Sequence, residues 1–340
     1  MKKIKNILLI ILCIVLVVTG TVFCINKYND NKYGKPDPEQ ITDYTDLNQY
    51  HTNIEDVDVE YVDRGTFQGF HLSPKNRQYK GIIICYGGSE GSPAFDVAEQ
   101  YAREGYETLA VFMFGMKNQQ KTLTKIPLEQ FEDVLRYTDE IEESYPITVW
   151  AASKGSEYAL YLASKYDEIS NLILVAPSAY SFSGLDFENP GASWTWENEE
   201  VPCIDIQKTP VSVTFKSMVF PMIVGEPVSF REIYEAAINA DSDKDDKLIP
   251  VQDIKADILL IAGTDDQMWG SYEMAGIIKE INDNAKICSY ENAGHVFKGN
   301  GISNQPGMRM RLGGTEEGNK AAAEQSEKEI NDFLKKHHSK

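Results

Sequence analysis

Ser153 stands between two small residues in Ala151-Ala152-Ser153-Lys154-Gly155, and the stretch before it, Ile147-Thr148-Val149-Trp150, is apolar enough for a buried strand. Small-x-Ser-x-Gly between a strand and a helix is the pattern of a nucleophile elbow, where a sharp turn strains the serine backbone and brings neighbouring strands too close for side chains on the flanks. Alanine takes the first position, where glycine is usual. A serine before a helix also has an ordinary use as an N-cap, so the pattern needs partners. A hydroxyl is a poor nucleophile until an imidazole takes its proton, and the imidazole must be held in one tautomer by a carboxylate.

Those partners are expected after the serine, acid first and histidine second. Of the five histidines, His337 and His338 sit in a charged terminal stretch, and His51 and His71 precede the sheet, so these four read as surface residues. His295 is different: Glu291-Asn292-Ala293-Gly294-His295 follows the last strand, and the glycine lets a loop carry the ring to the sheet's top. For the acid, Gly263-Thr264-Asp265-Asp266-Gln267 ends the preceding strand, and its spacing selects Asp266, with Asp265 as a neighbour, an N-cap or the alternative acid. Acyl transfer also needs two backbone N–H groups aimed at the developing oxyanion. Lys154 supplies one at a helix start, its side chain expected to face solvent, and Ser89 or Gly88 of Gly87-Gly88-Ser89-Glu90-Gly91-Ser92 supplies the other. That glycine loop also suits a phosphate, but no GxGxxG or GK[ST] accompanies it.

Positioning these groups takes a parallel sheet. Gly81 to Tyr86, Thr108 to Met113, Ile147 to Ala151, Leu172 to Ala176, Ile258 to Ala262 and Lys286 to Tyr290 are runs apolar on both faces, as strands covered on two sides require. Helical patterns alternate with them at Ala94 to Arg103, Pro127 to Ile141, Ser156 to Tyr166 and Glu273 to Ile281. A hairpin, Val57 to Asp63 and Thr66 to Leu72 around Arg64-Gly65, brings the total to eight strands. The expectation is an α/β fold: an eight-stranded, mostly parallel sheet with helices on both faces. Residues 177–250 break the alternation between strands six and seven and carry Trp194, Trp196 and five internal prolines, which reads as a lid. The aromatics hint at an apolar pocket, with packing as the other use for Trp194 and Trp196.

With 340 residues, 25% charged and 42% hydrophobic, the chain is globular rather than disordered or fibrous. Its net charge of −19 repels phosphate backbones, which argues against a nucleic-acid partner. Five cysteines without a CxxC pair or metal-ligand spacing argue against a disulfide framework or a zinc site, and nothing calls for a cofactor.

Residues 1–26 stand apart. After Lys2, Lys3 and Lys5, Ile7 to Ile25 holds 19 residues without a charge, about 28 Å as a helix, enough to cross a bilayer. The preceding lysines hold the N-terminus in the cytosol and send the remainder outside. The segment is an uncleaved anchor, or a signal sequence cut near Val18-Thr19-Gly20, which would leave the domain secreted; the apolar run past that point favours the anchor. Thr21-Val22-Phe23 before Cys24 lacks the small residues of a lipidation site. Residues 27–50, polar with Pro36 and Pro38, read as a linker, and residues 51–336 as the folded domain.

These motifs resemble an α/β-hydrolase and, more narrowly, the C-terminal catalytic domain of the acyl-CoA thioesterase and bile acid-CoA:amino acid N-acyltransferase family. The likeness covers about residues 80–336 and rests on Gly87-Gly88-Ser89-Glu90-Gly91, Gly105 to Ala110, Ser153-Lys154-Gly155-Ser156-Glu157, Ile249-Pro250-Val251, Asp265-Asp266-Gln267-Met268-Trp269 and Gly313-Gly314-Thr315. It implies Ser153 as nucleophile, Asp266 as acid and His295 as base, and serine rather than cysteine at the first of these tilts the reading toward hydrolysis. The expected activity is an extracytoplasmic serine hydrolase acting on a small-molecule acyl ester or thioester. An acyltransferase working through the same intermediate and a non-catalytic binding protein on the same fold are the alternatives. Family members in animals carry a β-sandwich before the catalytic domain, for which Tyr28 to Arg77 is too short, so fold and triad transfer better than substrate.

Overall fold

A computed structural model describes residues 2–36, 42–142, 144–186 and 188–340. The central sheet has eight strands: β1 (Val57–Arg64), β2 (Phe67–Pro74), β3 (Ile82–Tyr86), β4 (Glu107–Val111), β5 (Ile147–Ala152), β6 (Ile169–Val175), β7 (Asp257–Gly263) and β8 (Ala285–Tyr290). Their spatial order is β1-β2-β4-β3-β5-β6-β7-β8. β1 and β2 pair antiparallel, as do β2 and β4, and the other neighbours run parallel. The alternation of strand and helix thus produces the sheet expected of it, with an antiparallel edge.

The two-sided apolar runs divide between two cores. Ile82, Ile84 and Tyr86 face α3 (Phe131–Thr138), α4 (Lys154–Lys165) and α7 (Ser271–Ile281), while Ile83 and Cys85 face α2 (Phe95–Arg103) and α8 (Glu316–His338). In β7 the same split sends Ile258, Leu260 and Ala262 one way and Leu259 and Ile261 the other. Every residue of β3, and every residue of β7 after Asp257, is buried because each face has its own helical layer.

The lid lies between β6 and β7. It contributes a short sheet of Trp194–Trp196 with Ile126–Pro127 and Glu199–Glu200, a helical run α5 (Val211–Val224) and α6 (Arg231–Ala240). Trp194 is fully buried against Tyr158, with ring centroids 5.0 Å apart, so it is a packing residue. A second cover, the hairpin β9 (Ile302–Gln305) and β10 (Met308–Arg311), rises from the loop after β8. Its turn, Pro306-Gly307, is a turn signal legible in the sequence.

Three expectations are corrected. The first concerns the linker. The apolar helix does not stop at residue 26: α1 (Lys2–Tyr33) continues through Tyr33 and docks on the domain. The Asn26 and Asn29 amides donate to the Ile223 and Val224 carbonyls at 2.8 and 2.9 Å, and Arg309 binds Asp30 and the Gly34 carbonyl. Further along, Tyr50 packs on Phe70, Phe95 and Phe112. Pro38 lies outside the described residues. The second concerns His71, which is largely buried between Glu107 and the Tyr137 hydroxyl rather than on the surface.

The third is His338. α8 begins with a Thr315 cap whose hydroxyl accepts from Gly318 N–H, and it carries Glu316 and Glu317 at its start and Lys335 and Lys336 at its end, matching the helix dipole at both termini. Its last residue is fully buried at the sheet: Nδ1 donates to the Lys80 carbonyl at 2.8 Å, and Nε2 accepts from the Thr148 hydroxyl at 2.7 Å. Burial lowers the His338 pKa to about 4. Since the unfolded side chain titrates near 6.5, the unfolded state binds more protons between those values. The contribution of neutral His338 is therefore complete above about pH 6.5 and declines as pH falls toward 4. In urea unfolding from pH 7 to pH 4, the parent should lose roughly 2–3 kcal/mol more than His338→Gln; equal losses would contradict the assignment.

Candidate active site

β5 ends at Ala152 and α4 starts at Lys154, so Ser153 alone makes the turn, at φ 54° and ψ −125°. A non-glycine residue with positive φ is strained, and the surroundings must hold it there. They do so by close approach: a Cβ on Gly155 would lie 2.0 Å from the Gly87 carbonyl oxygen, so only glycine lets α4 sit against the loop after β3. Ser153 N–H is fixed by the Val175 carbonyl at 2.9 Å.

His295 reaches the same point from the end of β8. Its Nε2 lies 2.8 Å from Ser153 Oγ, and its Nδ1 lies 2.8 Å from Asp266 Oδ2. A carboxylate oxygen accepts only, so Nδ1 carries the proton and Nε2 accepts from the serine hydroxyl. His295 and Asp266 are both buried. The other Asp266 oxygen, Oδ1, accepts from the amides of Met268 and Trp269 at 2.8 and 3.2 Å, which fixes the carboxylate plane. Trp269 stands edge-on to the imidazole at 5.2 Å and anchors its own ring through Nε1 to the Ala176 carbonyl.

Asp265, the alternative acid, faces elsewhere: it accepts from the Gly314 amide at 2.9 Å and from Gln267 Nε2 at 2.7 Å. Its work is to bind the segment after β10. The His295 amide donates to the Leu312 carbonyl at 2.9 Å, and a Cβ on Gly294 would lie 2.1 Å from the Gly313 oxygen. The histidine loop is therefore clamped on both sides.

Of the two residues proposed for the second oxyanion donor, Gly88 has its N–H turned to the Glu90 carboxylate at 3.0 Å. Glu90 also accepts from the Ser92 hydroxyl at 2.6 Å, so it organises the loop internally. Ser89 lines the cavity together with Ser153 and Lys154. The Gly88 amide is thus already engaged.

The Lys154 side chain corrects the expectation of a solvent-facing residue. It is fully buried, bonded to both oxygens of Glu157 at 2.7 and 2.8 Å and to the Phe182 carbonyl at 3.3 Å. Burial lowers the lysine pKa and raises that of the glutamate. The sequence reading gives Glu157 no role of its own, although α4 is buried on every side from Lys154 through Ala163. Charges three residues apart in such a helix can only meet each other.

Above the serine is a cavity of about 450 Å³. Its walls are mostly apolar: Met218, Phe230, Ile233 and Tyr234 from the lid, Met268 and Trp269 from the acid loop, and Met308 and Met310 from the hairpin. Neither Trp194 nor Trp196 takes part. Among the described residues, no group of three or more His, Cys, Asp or Glu side chains is placed to hold a metal ion.

A parallel sheet with a serine at a strained strand-to-helix turn, an acid loop and a histidine loop defines an α/β-hydrolase. Comparison with solved structures agrees: a Pyrococcus furiosus esterase superposes with a TM-score of 0.50 at 17% identity, covering 83% of this chain and 91% of that one. Residues 126–340 match the model of the BAAT / acyl-CoA thioester hydrolase C-terminal family, and the chain belongs to that family. It is 26% identical over 302 residues to the acyl-coenzyme A amino acid N-acyltransferase 1 of Mus musculus, covering 83% of this chain and 65% of the relative. It is 23% identical over 275 residues to the mitochondrial acyl-coenzyme A thioesterase 2 of Homo sapiens, covering 77% of this chain and 52% of that relative. The chain therefore spans between half and two thirds of the length of these relatives.

Removing one member of a buried ion pair strands the other, at a cost of about 3–5 kcal/mol, whereas removing both together costs much less. Lys154→Met and Glu157→Met should each lower stability by about that amount, and the double variant Lys154→Met/Glu157→Met by less than their sum. Urea midpoints decide it; strict additivity would show that the pair is not coupled.

Proposed function

We propose that this protein is a serine hydrolase that cleaves an acyl ester or thioester through an acyl-enzyme at Ser153. The observation that carries the reading is the unbroken chain from Ser153 Oγ through the two nitrogens of His295 to Asp266, each link 2.8 Å long. His295 takes the proton of Ser153 as the hydroxyl attacks the carbonyl carbon. Asp266 keeps the ring oriented and stabilises the imidazolium that forms. The amides of Lys154 and Ser89 receive the oxyanion, and such donors, being preorganised, are worth about 3–4 kcal/mol each in a water-excluded site. His295 then hands its proton to the leaving group, and water, activated by the same ring, releases the acid. The apolar cavity suits an apolar acyl group, held with its carbonyl at the serine.

Acyl transfer to an amine is the second reading, favoured by the relatives named as amino acid N-acyltransferases. The covalent intermediate is the same, and the two differ in what attacks it. Location belongs to the proposal as well. α1 is long and apolar enough to cross a membrane, and with Lys3 and Lys5 at its start it is read as an anchor that leaves the catalytic domain outside the cytosol.

A fluorophosphonate probe should label the full chain at one site. Ser153→Ala and His295→Ala should abolish labelling and lower ester turnover by about 10⁴-fold or more, while His51→Ala, at an exposed position, leaves both intact. A parent that neither labels nor turns over nitrophenyl esters of any chain length would point to a binding protein. Product analysis with an added amino acid separates the activities: free acid as the product supports hydrolysis, and an N-acyl amino acid supports transfer.

A further inference from the structure

The lid helix α5 presents two different faces. One lines the cavity through Thr214 and Met218. The other exposes Val211, Phe215, Phe220, Met222 and Ile223, each with 46–85% of its surface open. A π turn contributes to this: Phe220 N–H bonds the Phe215 carbonyl five residues back. A regular α-helix would set residues five apart about 140° from each other, and the wider turn brings the two rings nearer to one side. An apolar strip of this kind on the cover of an active site marks something it must touch.

Its position says what. The uncharged run of α1 ends at Ile25, and the next residue, Asn26, holds the Ile223 carbonyl at 2.8 Å, with Asn29 holding that of Val224 at 2.9 Å. The end of α5 is thus pinned to the place on α1 where the hydrocarbon-compatible stretch gives way to polar residues, beside the exposed ring of Phe23. Arg309 of the second cover grips Asp30 and Gly34, about 6–12 Å further along the helix at 1.5 Å per residue. Both covers of the cavity are therefore registered against the anchor. The charged member of the strip, Lys216, is 74% exposed and paired with Glu232. Its long stem suits a helix lying in an interface with the ammonium turned to water.

We infer that the outer face of α5 lies in the headgroup and acyl boundary of the bilayer carrying α1, and that the substrate is a membrane-resident acyl lipid entering the cavity past this helix. This rests on the hydrolase reading above and names its substrate class. The attachment is apolar, since a chain of net charge −19 gains nothing from an anionic surface.

The full chain reconstituted in phosphatidylcholine vesicles tests both halves separately. Phe220→Trp adds an indole to a protein whose own four tryptophans belong to the folded domain. Bromine-labelled phosphatidylcholine should quench the variant more strongly than the parent, and equal quenching would overturn the membrane contact, leaving a protein partner for the strip. The triple variant Phe220→Ser/Met222→Ser/Ile223→Ser, none of whose positions lines the cavity, is assayed on two substrates. Hydrolysis of a long-chain acylglycerol embedded in the vesicles should fall by at least about tenfold, while hydrolysis of water-soluble nitrophenyl butyrate stays within about twofold. A parallel change on both, or a parent that prefers the soluble ester, overturns the lipid substrate. Loss of fluorophosphonate labelling in the parent with quenching intact instead sinks the hydrolase reading, so the two failures differ.

Discussion

An imidazole draws a proton from a hydroxyl best when its other nitrogen is held in one tautomer and orientation, and the residues around this site hold it. Asp266 fixes the Nδ1 side of His295 and is itself fixed by two backbone amides. The loop carrying the histidine is clamped by Leu312 and Gly313, which Asp265 in turn ties to the end of β7 through Gly314. Two adjacent aspartates thus divide the labour: one faces the chemistry and the other secures the segment that prevents the first pair from drifting. Distances of 2.8 Å on both sides of the ring are the product of that scaffolding rather than of the three side chains alone.

Ser153 is held by different means. Its strained backbone stays in place because Gly155 allows α4 to touch the Gly87 carbonyl and because Val175 takes the Ser153 amide. Directly below, Lys154 and Glu157 neutralise each other with no access to water. The pair also reaches the lid, since the carbonyl and amide of Phe182 bond to its two members. A charge pair in the helix that presents the serine thus ties the first turn of α4 to the start of the insertion, and site and cover share one support.

Much of this was legible in the chain. The sheet followed from apolar runs that had to be buried on both faces, and the order Ser153, Asp266, His295 followed from strand-end loops. What escaped was whatever depends on who packs against whom. His71 and His338 looked like surface residues because neighbours such as Glu107, Thr148 and Lys80 are remote in sequence and supply the partners that make burial affordable. Lys154 was misread because a charged residue at the first turn of a helix usually sees water, and only the apolar character of the rest of α4 argued otherwise. The residues after 26 looked like a spacer because polarity without period resembles a linker. A helix continued by tertiary hydrogen bonds leaves no such period.

That continuation has a consequence for release of the domain. Arg309 is almost completely enclosed, and its guanidinium is satisfied by Asp30, Gly34 and Gly225. A cut between Asp30 and Gly34 would part Asp30 from the folded domain, whereas a cut before Asp30 would leave all three partners attached to it. The first cut would strand a sequestered cation and loosen the hairpin over the cavity, so the end of α1 is part of the wall it adjoins.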